Sequence, residues 1–257
     1  MSLTLIGVLA SLAAGLMTGL GALPVLFGRR VAQRASDALL GFAAGVMLSA
    51  SYFSLILPGI EAGERLYNST IAAAGMAGLS IAVGAGAVAA LNAVLPHRHF
   101  VSGPEGADPG ALPKIWLFIF AIAIHNFPEG LAVGVGFGGG NVQNGISLAT
   151  GIGLQNAPEG LAVAVALSGQ GYGRRHAFLI ALLTGLIEPV GGYLGVSAVQ
   201  VSEQMLPPGL SFAAGAMLYI ISHEIIPETH RHGHQTAATT GLLAGLILMM
   251  LLDVTLG

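Results

Sequence analysis

Two short stretches, HNFPEG at 125–130 and QNAPEG at 155–160, hold the side chains best suited to chemistry. Residues three and four apart share a helix face, so His125 stacks with Glu129 and Asn126 lies beside it. The second stretch offers Gln155, Asn156 and Glu159 in the same arrangement. No lysine or arginine occurs between residues 115 and 173 to neutralise the two glutamates. An imidazole, two carboxylates and several amide oxygens converging without a basic partner favour a divalent first-row cation such as zinc. The chain has no cysteine, so a metal must be held by N, O or methionine sulfur. Without thiolate the affinity is expected to be modest, as a transported ion requires.

These groups lie in an unusually apolar chain. Its 257 residues are 54% hydrophobic and only 8% charged, with a mean hydropathy of +0.80. Soluble domains carry about 25% charged residues, so the composition specifies an integral membrane protein with the lipid bilayer as its first partner. A net charge of −3 argues against nucleic acid as a ligand. The 39 glycines fit helices that pack backbone to backbone in lipid. An unpaired glutamate at mid-membrane costs roughly 2.5 kcal/mol or more, which makes the two motifs functional candidates.

Spans of about 20 apolar residues are needed to cross the hydrocarbon core. Dividing the chain at its charged and Pro/Gly-rich stretches predicts eight, at about 3–27, 37–60, 68–95, 114–137, 145–169, 176–200, 209–228 and 236–256. MSLTLIGVLASLAAGL could instead be read as a signal peptide, but it lacks a basic start, and we take it as the first span. Residues 1–257 then form a single transmembrane domain, with 96–113 expected to be a mobile cytoplasmic loop. Arg29, Arg30, Arg34, Arg98, Lys114, Arg174, Arg175 and Arg231 fall in or at the edge of odd-numbered loops, and only Arg65 falls in an even one. Basic residues collect in cytoplasmic loops, so both termini are expected outside a cell (inner or plasma) membrane.

Two internal repeats organise the spans. FAAGVML at 42–48 recurs as FAAGAML at 212–218, 170 residues later, and Gly15-Leu16 recurs at the same offset as Gly185-Leu186. This maps spans one and two onto six and seven with opposite topology, an arrangement typical of secondary transporters. The HNFPEG and QNAPEG repeat is one crossing apart, so the fourth and fifth spans are antiparallel neighbours. Pro128 and Pro158 should free the carbonyls of Ile124 and Leu154.

Further candidates flank the pair. Glu188 lies mid-way along the sixth span, either as a third carboxylate of the site or as a protonated glutamate in a proline-kinked helix. Met47 in the second span is either core packing or a soft ligand. Ser54 and Glu61 mark an outer entrance, and His223, Glu224 and Glu228 an inner exit. His230, His232 and His234 belong to that exit or to an ordinary solvated helix end.

The paired motifs, with the eight spans and the polar third loop, resemble the ZIP (Zrt-, Irt-like protein) family of divalent metal transporters. FAAGVMLSASYFSLILPGIE and SHEIIPE look most like its GufA-like branch. The resemblance implies an all-α protein in a 3+2+3 arrangement, with helices 1–3 and 6–8 as inverted repeats around a central 4/5 pair. It implies a primary site of His125, Glu129, Gln155 and Glu159, to which Met47 contributes in some relatives. It also implies a second site of Asn126, Asn156 and Glu188 with the shared glutamates. Zn2+ is the expected cargo, with cadmium, iron or manganese as variants, and a homodimer is the candidate assembly. Gln155 stands where many members have histidine and Asn156 where some have aspartate, which puts a stable two-metal centre in doubt. A cation channel and an intramembrane metalloprotease are the competing readings. For the protease, HEIIPETH places Pro227 where a zincin needs its second histidine.

Overall fold

The computed structural model describes residues 1–28, 31–94, 97–99, 103–105, 114–169 and 171–256. Among these described residues six helical rods are long and apolar enough to cross a membrane: α1 (Leu3–Leu26), α2 (Gln33–Tyr67), α3 (Thr70–Val94), α6 (Arg174–Val201), α7 (Glu203–His230) and α8 (Gln235–Leu256). Two more helices, α4 (Lys114–Gly138) and α5 (Val142–Gly169), carry the two motifs. Between α3 and α4, β1 (His97–His99) and β2 (Gly103–Glu105) form a short antiparallel pair. Of the expected 96–113 loop, residues 96, 100–102 and 106–113 lie outside the described residues, as do Arg29 and Arg30.

The protein is thus a helical, multi-pass membrane protein, and its surface agrees. Leu5, Leu9, Leu16 and Leu20 of α1, Leu79 and Val83 of α3, and Leu243, Ile247 and Leu251 of α8 are all exposed. Such apolar stripes are what a lipid-facing helix presents. In α5 the exposed large apolar residues are confined to its start, at Val142 and Ile146. That helix is enclosed by its neighbours, which is why it can carry so many polar side chains.

Three rods differ from their sequence-based outlines, each for a local reason. α2 runs well past the predicted 37–60 and stops at Asn68, whose left-handed φ of 50° caps it. α6 is broken: helix ends at Gly185, turns through Leu186 and Ile187, and restarts at Glu188. Pro189 cannot donate to the Gly185 carbonyl four residues back, so the ladder opens there. α2 and α7 each contain a widened π-helical stretch, Ala50–Ile56 and Ile221–Ile225, followed by Pro58 and Pro227 respectively. Such stretches gather at functional sites.

Packing follows the sequence repeat. α1 packs on α5 and α6, α4 on α6, α2 on α8, and α3 on α7. Gly15 and Gly185 meet reciprocally: a Cβ on either would strike the carbonyl oxygen of the other. Gly45 abuts the Leu242 carbonyl as Gly215 abuts that of Ile81, and Gly245 abuts Phe42 as Gly84 abuts Phe212. Each pair maps onto the other when α2 is exchanged for α7 and α3 for α8, so the contacts repeat as the sequence does. Gly241, whose Cβ would meet the Ala38 carbonyl, completes the Gly241-x3-Gly245 contact within the chain.

Replacing Gly15 with leucine should therefore force α1 and α6 apart and cost at least ~1–3 kcal/mol. Thermal melting of the purified protein should show a clear drop for Gly15→Leu and almost none for Gly75→Ala, where a Cβ meets open space. Equal midpoints would remove the α1/α6 crossing from the list of structural determinants.

Candidate metal centre

The two motifs sit on α4 and α5, which run antiparallel through the middle of the bundle and are held by α6 and α1. Gly130 approaches the Glu188 carbonyl and Gly160 approaches that of Thr18. Gly191 approaches Phe127, and Gly21 approaches Ala157. The prolines remain inside continuous helices. Close backbone approach brings Glu159 and Glu188 near enough to Glu129 to act on it electrostatically, and Glu159 near enough to act on Glu188.

Amides share these carboxylates. Gln155 Nε2 donates to Glu129 Oε1 at 2.7 Å, and Asn156 Nδ2 donates to Glu188 Oε1 at 2.7 Å and to the Ala14 carbonyl at 2.9 Å. His125 Nε2 lies 2.7 Å from Glu224 Oε2 of α7. The oxygens left over are the telling ones. Glu129 Oε2, Gln155 Oε1, Asn156 Oδ1, Glu159 Oε1 and Glu188 Oε2 are buried with no hydrogen-bond donor. Each orphaned acceptor costs about 1–3 kcal/mol, more when charged, and a cation would satisfy several at once. Among the described residues no three His, Asp or Glu side chains are gathered as a ready-made metal cage. The unpaired donor oxygens of the centre are a mixture of carboxylate and amide oxygens.

Polar groups continue toward both ends of the bundle. At the end where α2 and α4 finish and α5 and α7 begin, a cavity of about 330 Å³ is lined by residues that include Glu61, Arg65, Asn141, Asn144 and Asp253. Ser54 Oγ donates to Asp253 Oδ1 at 2.6 Å, and Ser147 Oγ donates to the same oxygen at 3.0 Å. The Ser54 carbonyl, left without its helical donor by Pro58, accepts from Asn144 Nδ2 at 3.3 Å. Toward the other end, Asn92 Nδ2 donates to Glu224 Oε1 at 3.1 Å, so Glu224 joins His125 to α3. Farther out, buried Asp37 takes His232 Nδ1 at 3.2 Å and His234 Nδ1 at 2.8 Å.

The sequence-predicted residues therefore fall into separate groups. Asn126 is buried beside the centre, and Met47 is enclosed in the main apolar cluster together with Met217. Glu61 is an exposed wall of the cavity. His223, expected to lie inside the helix bundle, is exposed and stacks on Tyr219 with ring centroids 5.0 Å apart. The π-helical stretch resets the face it presents, and Glu224 takes the inward position. Glu228 is half-buried, and His230 is occupied by its own turn through the Ile226 carbonyl and Thr229. Sequence reasoning missed Asp253, Asn92, Ser147 and Asp37, because a polar residue near the end of an apolar run looks like a solvated terminus.

A polar, carboxylate-rich centre enclosed by lipid-facing helices marks a membrane protein with a buried site whose free oxygens fit a cation. The model of the ZIP zinc transporter family matches residues 110–253. Over 98% of its length the chain is 44% identical to the zinc transporter GufA of Myxococcus xanthus, covering 99% of that protein. It is also 44% identical to the zinc transporter ZIPB of Bordetella bronchiseptica, across 93% of the chain and 78% of the relative. Human zinc transporter ZIP11 is 33% identical across 94% of both. The chain belongs to the ZIP family, in its GufA-like branch.

Asn144→Leu should leave the Ser54 carbonyl unpaired and destabilise the fold by about 1–3 kcal/mol. In a Pro58→Ala background the penalty should shrink, since alanine restores a backbone donor. Equal penalties in the two backgrounds, measured by thermal melting, would contradict the assignment.

Proposed function

We propose that this chain carries divalent transition-metal cations, zinc first, across a cell membrane into the cytoplasm, through the centre between α4 and α5. The observation that carries the reading is the group of buried, donor-less oxygens contributed by Glu129, Gln155, Asn156, Glu159 and Glu188. The names of the relatives supply zinc as the cargo. Cadmium, iron and manganese suit the same oxygen and nitrogen donors.

In this reading all eight helical rods span the bilayer as one domain over 1–257, arranged 3+2+3 with α1–α3 and α6–α8 as inverted repeats around α4 and α5. The reciprocal glycine contacts support that symmetry. Both termini and the Asp253 cavity face outside, and 96–113 is a cytoplasmic connection. Metal enters past Glu61, Asp253 and Ser54, rests among the glutamates, and leaves past His125, Glu224 and Asn92. Met47 adds a soft donor at the primary site. The packing pairs α1, α4, α5 and α6 in one group and α2, α3, α7 and α8 in another, meeting where α2 touches α5 and α4 touches α7. Relative movement of these groups is the route to alternating access. A homodimer is the candidate assembly, since exposed apolar stripes can meet lipid or a second copy.

The protease reading finds no support. Pro227 breaks the zincin spacing, and the family consists of transporters. A channel differs from a carrier in kinetics, so saturation of uptake and absence of single-channel currents decide between them.

Zinc uptake into proteoliposomes should be saturable and abolished by Glu129→Ala. Normal uptake by that variant would sink the assignment. Protons must leave His125 and the carboxylates before metal binds, so the apparent KM for zinc should rise as pH falls from about 7.5 to about 5.5. A pH-independent KM would place the binding step on groups that do not titrate.

A further inference from the structure

The internal symmetry exposes one position that the metal centre leaves unexplained. Thr18 stands 170 residues before Glu188, the spacing that separates Gly15 from Gly185. Its carbonyl packs on Gly160 as the Glu188 carbonyl packs on Gly130, and these two glycines end the paired motifs. Both side chains lie at the same helix crossing. Glu188 Oε1 is 3.3 Å from where a Gly15 Cβ would stand, and Thr18 Cβ is 3.1 Å from where a Gly185 Cβ would stand. Each thus leans over the other helix's glycine at the α1/α6 crossing.

The polar atoms of the two halves are satisfied differently. Asn156 Nδ2 binds Glu188 at 2.7 Å, whereas the equivalent atom of the repeat, Asn126 Nδ2, has no partner. Thr18 Oγ1 is likewise without one, although the residue is only 2% exposed. A threonine in a helix ordinarily returns its hydroxyl to the carbonyl four residues back, as Thr150, Thr240 and Thr255 do here. Thr18 forgoes that bond in a dry interior.

We propose that Thr18 is a metal-binding residue of the second site, its hydroxyl oxygen being the neutral counterpart of the Glu188 carboxylate across the pseudo-twofold. The inference rests on the centre described under Proposed function and deepens it. It makes the site a ring of one unshared carboxylate, one hydroxyl, two asparagines and the two bridging glutamates. A hydroxyl is a weak neutral oxygen donor, so it adds coordination without adding charge. That suits a site from which the ion must depart.

The test is equilibrium zinc binding to the purified full chain, with uptake measured in parallel, for wild type, Thr18→Val, Thr18→Ser and Glu129→Ala. Valine keeps the shape of threonine and removes its oxygen, and serine keeps the oxygen. Thr18→Val should weaken zinc binding about tenfold and Thr18→Ser by less than about twofold. The valine effect should largely vanish in a Glu188→Gln background, because both residues serve one cation. Unchanged binding in Thr18→Val, or equal losses in valine and serine, would overturn the proposal, the latter by assigning Thr18 to packing. Binding that survives Glu129→Ala would instead overturn the centre itself, and Thr18 with it. Melting curves of the variants separate loss of binding from loss of fold.

Discussion

A carboxylate enclosed by helices in a bilayer has to find its donors inside the protein, and this fold supplies fewer than it needs. Between residues 115 and 173 there is no lysine or arginine, yet Glu129, Glu159 and, from α6, Glu188 are drawn together there. Two amides cover one oxygen each, from Gln155 and Asn156, and Glu129 Oε2, Glu159 Oε1 and Glu188 Oε2 have no donor. Buried charge without a partner is strongly destabilising. Such carboxylates are neutralised by protons, or, in the function proposed above, by a divalent cation that takes the protons' place for part of the working cycle.

What holds such a centre together is backbone contact, since lipid gives helices no hydrophobic reason to associate. Glycines at the α1/α6, α4/α6 and α1/α5 crossings let carbonyls approach closely, and the same crossings fix where the polar side chains fall. A methyl group at any of them would move the glutamates by more than a metal site tolerates. The rest of the surface is left free to be leucine.

The fold was legible where the signal was local or repeated. Apolar runs located the helices, and FAAGVML with FAAGAML announced the exchange of α2 for α7 that the paired glycine contacts display. The HNFPEG and QNAPEG pair pointed to the centre. Less legible was the pairing within it: helical spacing put His125 over Glu129, whereas an inter-helix contact with Glu224 prevails. That contact depends on the π-helical stretch of α7, whose extra residue per turn no periodicity argument anticipates. His223 and Glu224 exchanged expected roles for that reason. Asp253 and Asn92 escaped notice because their meaning lies in partners more than a hundred residues away.

Those two residues show how the repeat has been turned into a direction. Asn92 and Asp253 stand 161 residues apart, as do Gly84 and Gly245, and Ser54 and Glu224 share the 170-residue spacing. Each end of the bundle therefore has the same two positions joined by a hydrogen bond, Ser54 with Asp253 and Asn92 with Glu224. At one end the carboxylate is on α8 and the neutral partner on α2; at the other the carboxylate is on α7 and the neutral partner on α3. Only the second acid also meets a histidine, His125. A cation approaching Asp253 displaces hydroxyl hydrogen bonds, whereas one approaching Glu224 must compete with an imidazole that can carry a proton. Symmetry sets the two hydrogen-bonded pairs, and the exchange of neutral for acidic residues between them makes the two ends of the bundle chemically unequal.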